Sequence, residues 1–353
     1  MLDKKIQPDE KLAKILELEM LSVNEIIRER MASENAPRIP EVTSHLIGAG
    51  GKRLRPMLTL AAARLFDYSG DKHLKLAATV EFIHTATLLH DDVVDESLKR
   101  RGRPTANLLW DNKSSVLVGD YLFSRSFQLM VEIGSLTILD ILASASATIA
   151  EGEVLQLTVS KNIKTDETTY LKVIRGKTAA LFSAATQVGG KVAGADENAC
   201  KALYEYGDAL GMAFQIIDDL LDVEGSLQKT GKNSGDDFRE RKVTMPFIKA
   251  IKKSTKSELE FWKRTIEKGD QNEDDWDKAF LLMQKHDAVS DTRKEAEIWV
   301  NKAKYALRAL PNSEVTLLLS DLADYVLTRS KSVSYTHLRA HETKANLVCR
   351  LLL

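Results

Sequence analysis

The stretch LLHDDVVDES places Asp91, Asp92 and Asp95 directly after a long apolar segment, and IIDDLLDVEG repeats the arrangement with Asp218, Asp219 and Asp222. On a helix, residues four apart share a face. Asp91 and Asp95 therefore point one way, as do Asp218 and Asp222. Like charges at that spacing destabilise a helix, and anions near its C-terminus meet an unfavourable dipole. Something cationic should offset them. Hard carboxylate oxygens suit Mg²⁺, which binds through a few carboxylates plus substrate phosphates. One such motif alone is more simply a solvated acidic helix end. Two copies, each closing an apolar helix with DDxxD spacing, instead suggest facing carboxylate sets around one metal cluster and a phosphorylated ligand.

A diphosphate also needs basic partners. GAGGKRLRP supplies Lys52, Arg53 and Arg55 just after two glycines, which let backbone amides approach an anion. KRRGRPTAN brings Arg100, Arg101 and Arg103 close to Asp95, RGKTAALF offers Lys177 and Thr178, and KTGKNSGDDFRERK offers Lys232 and Lys242. Each alone is an ordinary basic surface segment or an exposed salt-bridge network. Together they supply enough donors for two diphosphates beside the metal ligands. His84 lies two helical turns before Asp92, and as a histidine in an apolar helix it is either a satisfied core residue or a phosphate donor. His90 adjoins Asp91 and could orient it. Gln215, about one turn before Asp218, is either a surface residue or a hydrogen-bond partner of substrate.

The elements that must position these groups are helical. No proline falls between Pro104 and Pro246, and KLAATVEFIHTATLLHDD and ALYEYGDALGMAFQIIDDLLD repeat apolar residues at three- and four-residue steps. Short turn signals such as IGAGG and VGGKVAGAD separate roughly a dozen helices, with no convincing strand. The 353 residues are 44 % apolar, enough to bury a large core. The expectation is one all-α domain over residues 1–332, a helical bundle with a central cavity. The near-balanced charge, net -1, argues against a general nucleic-acid binder. Two cysteines, Cys200 and Cys349, cannot form a disulfide framework, and no apolar run approaches the ~18 residues of a membrane span. The N-terminus is charged and amphipathic, unlike a secretory signal. A soluble, cytoplasmic protein is expected. Residues 333–353 lack periodicity, and VSYTHLRAHET reads as one translated frame of a sequencing adapter, the alternative being a disordered tail. This segment is set aside from the site.

The ordered set GGKRLRP, LLHDDVVDE with RRGRPTAN, KTA, FQIIDDLLD and GKNSGDD resembles the trans-isoprenyl diphosphate synthases over about residues 10–331. The wording of EFIHTATLLHDDVVDES and AEGEVLQL is most similar to the long-chain members (octaprenyl, solanesyl, decaprenyl) that build quinone side chains such as that of ubiquinone. The resemblance implies an all-α isoprenoid-synthase bundle, a homodimer, that uses Mg²⁺ to add isopentenyl diphosphate to an allylic diphosphate. It implies Asp91 and Asp95 as Mg²⁺ ligands from one side and Asp218 from the other, with Asp92 and Asp222 in or beside the shell. Lys52, Arg55, His84 and Arg101 would hold isopentenyl diphosphate. Arg100, Lys177 and Lys232 would hold the allylic diphosphate, supported by Thr178, Gln215 and Lys242. A peripheral membrane contact would serve product release. Ala86 and Thr87, the small residues about one turn before Asp91, would leave the pocket floor open to long products. A class I terpene cyclase would carry a different second metal motif and lack the GGKRLRP site. A shorter-chain synthase, or a non-catalytic partner subunit, is the remaining alternative.

Overall fold

The computed structural model describes residues 6–48, 50–100, 102–225 and 235–329. Its helices, in chain order, are α1 (Pro8–Ile15), α2 (Glu17–Met31), α3 (Arg38–Gly48), α4 (Leu54–Arg64), α5 (Lys72–Val94), α6 (Ala106–Leu109), α7 (Asn112–Ile133), α8 (Leu136–Val159), α9 (Glu167–Ile174), α10 (Ala180–Val192), α11 (Glu197–Glu224), α12 (Asp236–Arg239), α13 (Met245–Lys252), α14 (Lys256–Trp262), α15 (Asp275–Lys285), α16 (Ala288–Ala306) and α17 (Glu314–Thr328). Arg101, Lys232 and residues 333–353 lie outside the described residues.

Local chemistry sets the helix starts. Asp111, Ser135, Asp166, Asp196 and Ser313 each accept a hydrogen bond from the backbone N–H three residues on, capping α7, α8, α9, α11 and α17. Over its 23 residues α5 has neither glycine nor proline, and it buries residues on most of its faces. The apolar α10 is the hub. It packs against α4, α5, α8 and α11, so the helices carrying the two acidic motifs both lean on it. The approach of α11 is close because Gly211 has no side chain; a Cβ there would lie 2.6 Å from Ala179 Cα.

Two local features beside the acidic motifs depart from the expected pattern. Arg175–Ala179, between α9 and α10, forms a single π turn that carries Lys177 and Thr178. Such turns often mark functional sites. Here the turn crosses α8 at two glycines: a Cβ on Gly152 would sit 2.6 Å from the Lys177 backbone nitrogen, and one on Gly176 would sit 2.8 Å from Gly152 Cα. The second departure is a hairpin after α5. Strands β1 (Lys99–Arg100) and β2 (Arg103–Pro104) pair antiparallel, with Lys99 opposite Pro104 and Arg100 opposite Arg103. Gly102, at φ +75°, permits the reversal. Two-residue strands are too short to leave an alternating pattern in sequence.

Candidate active site

Both acidic motifs occupy helix C-termini. Asp91 and Asp92 end α5, Asp95 is its C-cap, and Asp218, Asp219 and Asp222 lie in the last turns of α11. Each meets a compensating group. Lys177 Nζ lies 3.9 Å from Asp91 Oδ2 and 2.8 Å from Glu153 Oε2. Lys242 Nζ lies 3.2 Å from Asp95 Oδ2. Arg329 Nη2 lies 3.3 Å from Asp218 Oδ1 and donates to the Phe214 carbonyl at 2.6 Å.

Among the described residues, no three His, Cys, Asp or Glu side chains stand close enough to hold one ion. The acidic side chains form one bank at the end of α5 and one at the end of α11, where bare carboxylates repel and turn to nearby cations. Lys242 joins the banks. It touches Asp95 of the first, and its charge also acts on Asp237, which stands beside Asp219 and Asp222 of the second.

Asp92 is fully buried, with Oδ1 2.9 Å from Arg100 Nε and 2.8 Å from Arg100 Nη2. It faces the hairpin. Arg100, expected on the allylic diphosphate, thus spends these two donors on Asp92. Asp222 accepts the Asp237 N–H at 3.1 Å. Asp219 accepts from the Tyr170 hydroxyl at 2.5 Å and from Gln215 Nε2 at 2.7 Å, and Gln215 Oε1 in turn accepts from Thr178 Oγ1 at 2.8 Å. The expected contacts Thr178 and Gln215 are thereby held in one chain of hydrogen bonds.

The three basic residues of the GGKRLRP loop separate. Arg53, in the left-handed region at φ +49°, forms an ion pair with the buried Glu81 and anchors the loop. Arg55 Nη1 lies 3.2 Å from His84 Nε2 and stacks 4.4 Å over the Phe182 ring, so these two predicted isopentenyl diphosphate contacts do meet. Phe182 packs against Phe214, over whose ring the Arg329 guanidinium stacks at 3.7 Å. Lys52 reaches α1 and α17. His90 Nε2 reaches the Val116 carbonyl at 3.2 Å and lies 3.4 Å from Asp120, so it is bound to α7.

Sequence reasoning passed over Glu153, Tyr170, Asp237 and Arg329. Glu153 and Asp237 stand inside quoted motifs, AEGEVLQL and GKNSGDD, so their position was the available signal. Tyr170 and Arg329 gave none, because each acts on a residue far away in the chain.

The carboxylates hold surplus negative charge. Burial raises Asp91 to about 6, Lys177 opposes the rise, and Glu153 and Asp95 add to it. Burial raises Asp219 to about 7 against its two hydrogen bonds, and raises Asp237 well above the usual range, aided by the charges of Asp219 and Asp222. Hard oxygen donors with unbalanced charge are what a divalent cation compensates, so these residues fit one. The linkage sign follows. Groups whose folded pKa is raised bind protons more tightly in the folded state, so their stabilisation is complete below the unfolded value near 4 and is lost as pH rises through about 6 to 7. In chelator, the melting temperature is expected to fall by a few degrees between pH 5 and pH 8, and Mg²⁺ should restore it at pH 8. Calorimetry at the two pH values checks this; a flat or rising profile in chelator would contradict it.

The Polyprenyl synthetase family profile matches residues 36–283. The octaprenyl diphosphate synthase of Escherichia coli is 41 % identical over 322 residues, 91 % of this chain and 99 % of that protein. The crystal structure of a decaprenyl diphosphate synthase from Rhodobacter capsulatus is 64 % identical, with a TM-score of 0.89 over 92 % of this chain and 99 % of that one. A polyprenyl synthase from Caulobacter crescentus, solved with calcium and isoprenyl diphosphate, is 48 % identical with a TM-score of 0.87, over 92 % and 99 % of the two chains.

Proposed function

This chain belongs to the polyprenyl synthetase family, and from that premise we propose that it is a long-chain trans-polyprenyl diphosphate synthase. It extends an allylic diphosphate with successive isopentenyl diphosphate units, and its product serves as a quinone side chain such as that of ubiquinone. The observation that carries this reading is the placement of Lys177 and Lys242. Each is a phosphate donor set against the first acidic motif, and the charge of Lys242 also acts on Asp237, whose N–H meets Asp222 of the second. A diphosphate between the banks would take over these cations as Asp91, Asp95 and Asp218 turn to a divalent ion.

In the reaction, the allylic C–O bond breaks and both electrons leave with the diphosphate. Lys177, Lys242 and Arg100 would stabilise the negative charge that grows on the leaving group. Mg²⁺, held by Asp91, Asp95 and Asp218, would supply further charge stabilisation there. The double bond of isopentenyl diphosphate attacks the allylic cation, forming the new C–C bond. One proton is then lost, with the departed diphosphate the nearest base. Arg55 and His84 hold the second substrate. Water is excluded because it would quench the cation, and the paired rings of Phe182 and Phe214 contribute to that exclusion.

The reading includes a homodimer. Leu117 and Val131 of α7 and Leu136, Val154 and Leu157 of α8 are all more than half exposed, an apolar set that a lone chain seldom leaves open. Among the described residues no helix is long and apolar enough to cross a membrane, and a peripheral contact for product release belongs to the same reading. A cytoplasmic location belongs to the same reading. The test is direct. Purified protein given labelled isopentenyl diphosphate, farnesyl diphosphate and Mg²⁺ should yield products between the octaprenyl and decaprenyl lengths of its relatives. Termination at the geranylgeranyl length, or no condensation, would refute the long-chain reading or the catalytic one respectively.

A further inference from the structure

Lys52 connects the loop to both ends of the described chain. Its Nζ lies 2.8 Å from Asp9 Oδ2 on α1 and donates to the Tyr325 hydroxyl on α17 at 3.4 Å. Asp9 is 6 % exposed, and its other oxygen, Oδ1, is buried without a hydrogen-bond partner. Burying a carboxylate in that state costs free energy. Service to the α1 dipole does not explain it. Glu10, exposed in the same first turn, already does that and accepts the Gln7 N–H at 3.1 Å. The other oxygen of Asp9, Oδ2, is the one that meets Lys52. An ammonium has three donors. Asp9 and Tyr325 take two, and the side chain, 44 % exposed, keeps the third for an oxygen arriving from outside.

Resting on the reading of Lys52 as an isopentenyl diphosphate contact, we propose that Asp9 and Tyr325 are positioning residues that aim its ammonium at that diphosphate. Helices α1 and α17, both outside the stretch that matches the family profile, would then complete the site. The physical case is preorganisation. A lysine on a four-carbon stem has wide rotamer freedom, and anchoring it beforehand removes that loss from substrate binding. Burial by itself would lower the Lys52 pKa, but the hydrogen bond and charge of Asp9 outweigh it and the pKa is raised, so the group stays cationic. Asp9's own charge repels a diphosphate, so the sign of its net effect is the measurable point.

The experiment uses the full chain at saturating farnesyl diphosphate and Mg²⁺. Asp9→Asn should raise KM for isopentenyl diphosphate about fivefold, with kcat and the primer KM changed by less than about twofold. Tyr325→Phe, acting on the same ammonium from another helix, should raise it less and guards against a misfolded Asp9 variant. In a Lys52→Met background, where KM is already high, Asp9→Asn should add nothing. A KM that falls or stays level in Asp9→Asn would make Asp9 a competitor or a bystander and overturn the proposal. So would equal rises in both KM values with a lowered melting temperature. An unchanged KM in Lys52→Met alone would remove the premise about Lys52, whereas a wild type that condenses nothing would instead overturn the function itself.

Discussion

Replacing Asp91 by asparagine is expected to cut turnover about a hundred- to a thousandfold, the usual cost of losing one electrostatic contact to a developing charge, and at the same time to stabilise the metal-free protein. The two effects separate function from folding. Asp91 sits at the end of α5 with its carboxyl raised to about 6 by burial, opposed by Lys177 and reinforced by Glu153 and Asp95. At pH 8 the folded state therefore carries an anion it would rather protonate, and the neutral amide relieves that cost. Asp218→Asn should lose comparable activity. It pairs with Arg329 at 3.3 Å, so the amide also loses that pair and no gain in stability is expected. Steady-state rates and calorimetry in chelator at pH 8 test both. Near-normal turnover in the two variants would remove the acidic motifs from the chemistry.

Thr87→Phe is expected to shorten the products sharply while leaving the first condensation fast. Thr87 is partly exposed and lies on the face of α5 shared with His84 and Asp91, three residues beyond one and four before the other. A ring there would project into the space below the first carboxylate bank without touching it. Ala86 differs. It is 1 % exposed and packed in the core, so of the two small residues singled out in sequence only Thr87 borders open space. Ala86→Phe would overpack the helix contact at a cost of about 1–3 kcal/mol, lowering the melting temperature more than it changes product length. Sizing products after a single turnover and after exhaustion of isopentenyl diphosphate distinguishes the cases. An unaltered product distribution in Thr87→Phe would mean that the chain grows along another path.

What the sequence determined by itself is local. The spacing of Asp91 with Asp95 and of Asp218 with Asp222 is set by the pitch of one helix, so it was legible without any partner. The same holds for the all-α class, since proline-free apolar periodicity from Pro104 to Pro246 leaves little else. The tertiary structure decided which cation meets which anion. Lys177 reaches Glu153, Tyr170 reaches Asp219, and Lys52 reaches Asp9 and Tyr325, and none of these pairs shares a helix. No periodicity encodes such contacts; they follow from how closely helices approach, as at the Gly152 and Gly176 crossing that brings Lys177 beside Glu153. Equal spacing in two motifs says that the charges match, but repulsion between them, relieved by Lys242, Lys177 and Arg329, sets where each one points.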